Sequence, residues 1–195
     1  MIFNDILVKA LKKPSFVCTF IHIPLIFISF IIGYFSKTLG FTWLALMIVC
    51  AELIIVITRF VFSYEQSFMG DLVRYWYAAL FLFASAYTLF EDGHVRVDVF
   101  YSSLKEKTKS YINAAGSIFL GISTCVAIIF VGFNGKQSII NSPILNFEIT
   151  QTGSVGMFVK YQLAAFLGVF AISMIVQFVS YYFSSLSKIN EIKMG

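Results

Sequence analysis

FTWLALMIVCAELIIVITRFVF, residues 41–62, carries one acidic and one basic side chain, Glu52 and Arg59, in an otherwise apolar run. A spanning helix needs about 20 predominantly apolar residues, at about 1.5 Å rise each, to cross roughly 30 Å of hydrocarbon. Residues 16–35, 72–90, 111–133 and 161–183 approach the same length. In lipid, backbone groups must be bonded within their own segment or in a closed barrel. Unbroken apolar runs without period-2 alternation select helices over barrel strands. The expected fold is therefore all-α, a polytopic membrane helix bundle.

Composition agrees. Of the 195 residues 59% are hydrophobic and 12% charged, with 23 Phe and 10 Tyr, and the mean hydropathy is +0.87. Soluble domains carry about 25% charged residues, so a water-soluble enzyme, a nucleic-acid module and a disordered tail are excluded together. The connections 91–110 and 134–160 are too short to hold a soluble domain. The three cysteines, Cys18, Cys50 and Cys125, all fall inside apolar runs with no CxxC spacing, and read as small buried apolar residues.

The net charge of +4 comes from 14 Lys and Arg against 10 Asp and Glu, placed between the apolar runs, where they report orientation in the bilayer. If all five segments cross, the Lys and Arg divide seven to seven and the positive-inside rule is silent. If 16–35 fails to cross, the side holding the N-terminus, the 91–110 loop and the C-terminus has ten and the other has four. Both arrangements allow that loop and the C-terminus to be cytoplasmic, and differ in where Met1 lies. Segment 16–35 is apolar all round and lacks the polar face of an in-plane helix, which favours crossing. Pro24 within it predicts a kink. The absence of a small-x-small cleavage site after it favours an uncleaved segment over a signal peptide.

Few residues offer chemistry. Glu52 sits midway along 41–62, where an ionisable side chain is costly and is a functional candidate by default. A proton relay needs a second titratable group at the same depth, and Arg59, seven residues on, is about 10 Å further along the axis. A protonated Glu52, or one hydrogen-bonded into a helix interface or partner subunit, is the other reading. A tight hairpin would bring Arg59, at the end of 41–62, and Arg74, at the start of 72–90, to the same membrane face, with Glu65 and Asp71 between them in sequence. With Tyr64, Tyr75, Trp76 and Tyr77 they form an interfacial belt, an anchor or a contact for lipid headgroups or another subunit. His22 and His94 would suit a bis-His haem between helices, but their levels differ by about 20 Å if 16–35 crosses. No nucleophile-base pair, metal-ligand cluster or phosphate-binding glycine loop is present, so no enzymatic activity, cofactor or metal is expected.

After segment 72–90 the chain reads Glu91-Asp92-Gly93-His94-Val95-Arg96-Val97-Asp98-Val99-Phe100-Tyr101. His94, Arg96 and Asp98 alternate with valines, so one side is ionic and one apolar, suited to the bilayer surface or to another protein. This run, with Tyr75-Trp76-Tyr77-Ala78-Ala79-Leu80-Phe81-Leu82, Ala86-Tyr87-Thr88-Leu89 and Arg59-Phe60-Val61-Phe62, resembles the small permease (DctQ-type) subunit of TRAP transporters, the tripartite ATP-independent periplasmic carriers. The similarity covers roughly 41–183.

The resemblance implies four transmembrane helices, cytoplasmic at both ends and at the motif loop, in the bacterial inner membrane. It also implies pairing with a large permease (DctM-type) subunit and a periplasmic solute-binding protein, for sodium-driven uptake of an organic acid or similar solute. Membrane lipid is the remaining partner, and nucleic acid is none. The implied organisation is a tail with an extra hydrophobic helix over 1–40, the membrane domain over 41–186 and a C-terminal tail over 187–195. Arg59, Arg74, Trp76, His94, Arg96 and Asp98 become candidates for the subunit or lipid interface, and Glu52 for an intramembrane polar contact. A haem- or quinone-binding membrane anchor is the alternative function.

Overall fold

The computed structural model describes residues 9–36, 40–64, 66, 68–91, 101–149 and 159–194. Most of these residues are helical, with no strand among them. In chain order they form α1 (Pro14–Phe35), α2 (Phe41–Val61), α3 (Met69–Phe90), α4 (Glu106–Phe133), the short α5 (Asn141–Leu145) and α6 (Lys160–Met194). The all-helical membrane reading therefore holds. Among the described residues four helices are long and apolar enough to cross a bilayer: α1, α2, α4 and α6 up to Ile192. The fifth expected segment forms α3, long enough at 22 residues but less apolar than those four. Its first half carries Asp71, Arg74 and the Tyr75-Trp76-Tyr77 run, which dilute its apolar character.

Three boundaries move from the sequence expectation. α4 starts at Glu106, so Lys107 and Lys109 are helical: Lys105 is extended as N-cap, and Glu106 places an acid in the first turn, where the helix dipole favours it. α6 runs on past 183 to Met194. Within it, Ser185 and Ile189 are buried one turn apart and draw the last turns onto the protein. Ahead of α2, Gly40 holds φ +35°, a left-handed conformation natural to glycine, and its carbonyl receives the Leu44 N–H at 2.9 Å.

In α1 the irregularity expected near Pro24 takes the form of a π turn over Cys18–His22, closed by the Ile23 N–H on the Cys18 carbonyl. Pro24 has no N–H to return to the preceding turn, so the widened turn sits where the regular ladder would break. A second π turn, Ser117–Ile122, interrupts α4.

The chain divides into two compact units, 1–80 with 142–164 and 81–141 with 165–195. In the first, buried Val17, Ala51, Val73, Val159 and Tyr161 mark the core. In the second, small residues let helices approach. Gly121 lies under the Phe178 ring, Gly132 under Ile140, and Gly168 beside Phe133. Phe83 meets Phe166 edge to face at 4.8 Å between centroids. The cysteines are free; Cys125 is buried as expected, Cys18 half-buried, and Cys50 departs from the expectation by lying exposed on α2.

Candidate functional site

On α2 the polar side chains behave differently from one another. Thr58 satisfies itself, its hydroxyl donating to the Ile54 carbonyl at 2.8 Å and reaching the Ile55 carbonyl at 3.1 Å. Glu52 and Arg59 are both exposed and make no hydrogen bond or ion pair among the described residues. The two are one above the other on the same face, as their seven-residue spacing requires.

Across the hairpin, Asp71 is the most deeply buried ionisable group of α3, at 1% exposure, in the helix's first turn. The Arg74 guanidinium lies 4.0 Å from its carboxylate but is itself exposed. Trp76 and Tyr75 are half-buried and Tyr77 exposed. Of the four charges expected to cluster here, the structure brings Asp71 and Arg74 together and leaves Arg59 apart, while Glu65 lies outside the described residues. Asp71 thus belongs to the interior and not to a ring of surface charge.

His94, Arg96 and Asp98 also lie outside the described residues. The chain just after them is fastened to the start of α4. The Asn113 amide donates to the Tyr101 hydroxyl at 2.8 Å, and Lys109 stands 5.7 Å from the Tyr101 ring centroid while pairing with Glu106 at 2.9 Å. This end of the motif loop is therefore held by an aromatic-cation contact and a hydrogen bond.

A junction that sequence reasoning missed lies at Tyr161, buried at the start of α6. His22, in the π turn of α1, shares a hydrogen bond with its hydroxyl through Nδ1, and the Phe147 ring packs edge to face on it at 5.8 Å. One residue before, Lys160 pairs with Glu148. Glu148 also accepts from Ser142 Oγ at 2.8 Å, while its own N–H reaches the Pro143 carbonyl at 3.0 Å. Lys160 beside it, then Ser142, hold the Glu148 carboxyl below its ordinary range. α1, α5 and α6 are thus pinned at one place. His22 carried a signal in sequence; its partner, 139 residues away, did not.

In the second unit an open groove of about 560 Å³ runs along α4 and α6, floored by Gly116, Gly121, Thr124 and Cys125 and walled by Met174 and Phe178. Among the described residues no three His, Cys, Asp or Glu side chains converge to hold a metal. Among the described residues the arrangement offers anchoring and docking surfaces.

Residues 45–183 match the family model described as Tripartite ATP-independent periplasmic transporters, DctQ component. The chain belongs to this family. No curated protein matches the chain. The DctQ match begins inside α2 and ends inside α6, so α2, α3, α4 and α6 are the family's long helices and α1 precedes it. The chain is a TRAP transporter small permease component and a multi-pass membrane protein.

Proposed function

We propose that this DctQ chain is the fixed membrane scaffold of a sodium-driven carrier of the inner membrane. It holds a large DctM-type permease subunit that takes an organic acid or similar solute from a periplasmic binding protein. The observation that carries the reading is the poverty of polar chemistry within helices that bury little of themselves. In the most apolar stretch of α2 only 6% of residues are buried, and in α6 only 11%. A midplane transport site needs broken helices and clustered polar groups. Wide apolar surface with interfacial Arg59, Arg74 and Trp76 suits a lipid-anchored partner to a moving subunit. On this reading His94, Arg96 and Asp98 face the cytoplasmic surface as a contact for lipid or the large subunit.

The same reading makes α1 a spanning helix. His22 lies eight residues into α1, about 12 Å from Pro14 at 1.5 Å per residue, and it meets the first turn of α6. With α3, 22 residues long, taken to cross like α2 and α4, α1 and α6 enter from the same face. With the 91–105 loop cytoplasmic, the flank before Pro14 is periplasmic.

The test is sodium-driven uptake in proteoliposomes holding this chain alone, the large subunit alone, or both, with the binding protein added. Uptake only with both is expected. Uptake by this chain alone, or full uptake by the large subunit alone, refutes the scaffold role.

A further inference from the structure

Glu52 presents a demand that the described residues do not meet. It sits about 16 Å along α2 from Phe41, in a helix of 21 residues, and so near the middle of any bilayer that α2 crosses. Several Ser and Thr hydroxyls in the long helices are answered within their own helix: Thr19 donates to the Ser15 carbonyl, Thr88 to that of Ala84, Ser117 to that of Asn113 and Thr124 to that of Leu120. A carboxylate has no such recourse, because it needs donors and mid-helix N–H groups are already bonded. The residues beside it on the helix surface, three and four away, are Ile48, Val49, Ile55 and Val56. None can donate. Cys50 lies about 160° round the helix, on the far side.

Val49 and Val56, which flank Glu52, are 62% and 50% exposed, so the face is open. We propose that the Val49, Glu52 and Val56 face of α2 seats an apolar helix of a second membrane subunit, and that this helix carries a hydrogen-bond donor level with Glu52. Lipid headgroups do not fill the role, since the nearest lie about 15 Å away at the edge of the hydrocarbon. A second copy docked on this face by two-fold symmetry would set Glu52 against Glu52 and bring no donor other than a carboxyl itself. The occupant is therefore a different chain of complementary chemistry. The inference rests on the scaffold reading and adds to it the surface and the depth of the contact.

The experiment uses the complex in native membranes, with the large permease subunit co-expressed. A benzophenone-bearing amino acid at position 49 or 56 should crosslink to the large subunit with Glu52 intact. Glu52→Leu, which makes α2 more apolar and leaves its insertion unimpaired, should reduce co-purification of the large subunit by about threefold to twentyfold, the range of hydrogen bonds between membrane helices. Glu52→Gln keeps an acceptor and should hold co-purification within about twofold of wild type. If positions 49 and 56 fail to crosslink while Phe119 or Val176 does and the complex purifies intact, the docking face is wrong and the scaffold reading stands. Crosslinking to a second copy of this chain, or undiminished co-purification in Glu52→Leu, also overturns it. If wild-type subunits do not co-purify at all, the scaffold reading itself fails, and this inference with it.

Discussion

Gly121 carries the tightest helix approach along the α4 groove. A methyl group on its Cα would stand 2.6 Å from Cδ1 and Cγ of Phe178 and 2.7 Å from Cε1. Carbons in favourable contact are about 3.5–4.0 Å apart, so Gly121→Ala obliges that ring to withdraw by roughly 1 Å. Three ring atoms meet the methyl together, and the ring lines the groove with Met174 and Tyr181, each about one turn away on α6. Overpacking of this kind costs about 1–3 kcal/mol. At about 2–4 °C per kcal/mol for a chain of this size, the expected fall in melting temperature is roughly 2–12 °C. Phe178→Leu should relieve the clash. The double variant should therefore lie above the sum of the single effects, by a coupling of about 0.5–3 kcal/mol. The assay is size-exclusion chromatography of detergent-purified protein after heating at one fixed rate, since such melts are scan-rate dependent. A Gly121→Ala protein melting within about 1 °C of wild type, with the double variant additive, would refute the close approach of α4 and α6 at the π turn.

Two further outcomes follow from the first unit. The Glu148 carboxyl is held below its ordinary range by Lys160 and Ser142, so its contribution to stability is complete above the ordinary glutamate value, about 4.3, and is lost as pH falls through the lowered value. Melting temperatures of wild type and Glu148→Gln should differ at pH 7, keep that difference down to about pH 5 and converge below about pH 4; a gap that widens on acidification would contradict the pairing. Alkaline phosphatase fused before Pro14 should be active, and a fluorescent protein in the 101–105 segment or after Met194 should fluoresce; a cytoplasmic flank before Pro14 would remove α1 from the spanning helices.

Helix type and approximate extent were legible because both follow from one-dimensional quantities, apolar length and the obligation to bond the backbone. The same one-dimensional reading judged α3 by its length and missed the dilution by Asp71, Arg74 and the aromatic run. It treated Glu65, Asp71, Arg59 and Arg74 as one cluster because adjacency in sequence does not say which side of a helix turns inward: Asp71 is buried and Arg74, three residues on, is exposed. Glu52 was legible as a costly residue and illegible as an exposed one, since an apolar helix gives no pattern by which to tell a buried seam from an open face.

The orientation of α1 shows most clearly what a pairwise contact adds. With all five segments crossing, the Lys and Arg divide seven to seven and the charge rule is silent, whereas with 16–35 not crossing they divide ten to four. A hydrogen bond between His22 and Tyr161 carries a different kind of information, because it equates two depths. Were α1 to lie in the plane of the face from which α2 starts, and were α2, α3 and α4 each to cross as proposed, His22 would stand a full hydrocarbon thickness, roughly 30 Å, from the start of α6. Were α1 to cross in the opposite sense, its apolar residues after His22 would project into water from the face where α6 begins. Only entry from that same face puts residues 23–35 in lipid and His22 within reach of Tyr161. Given the proposed crossings of α2, α3 and α4, the contact supports the proposal of a spanning α1 by an argument that uses no loop charge.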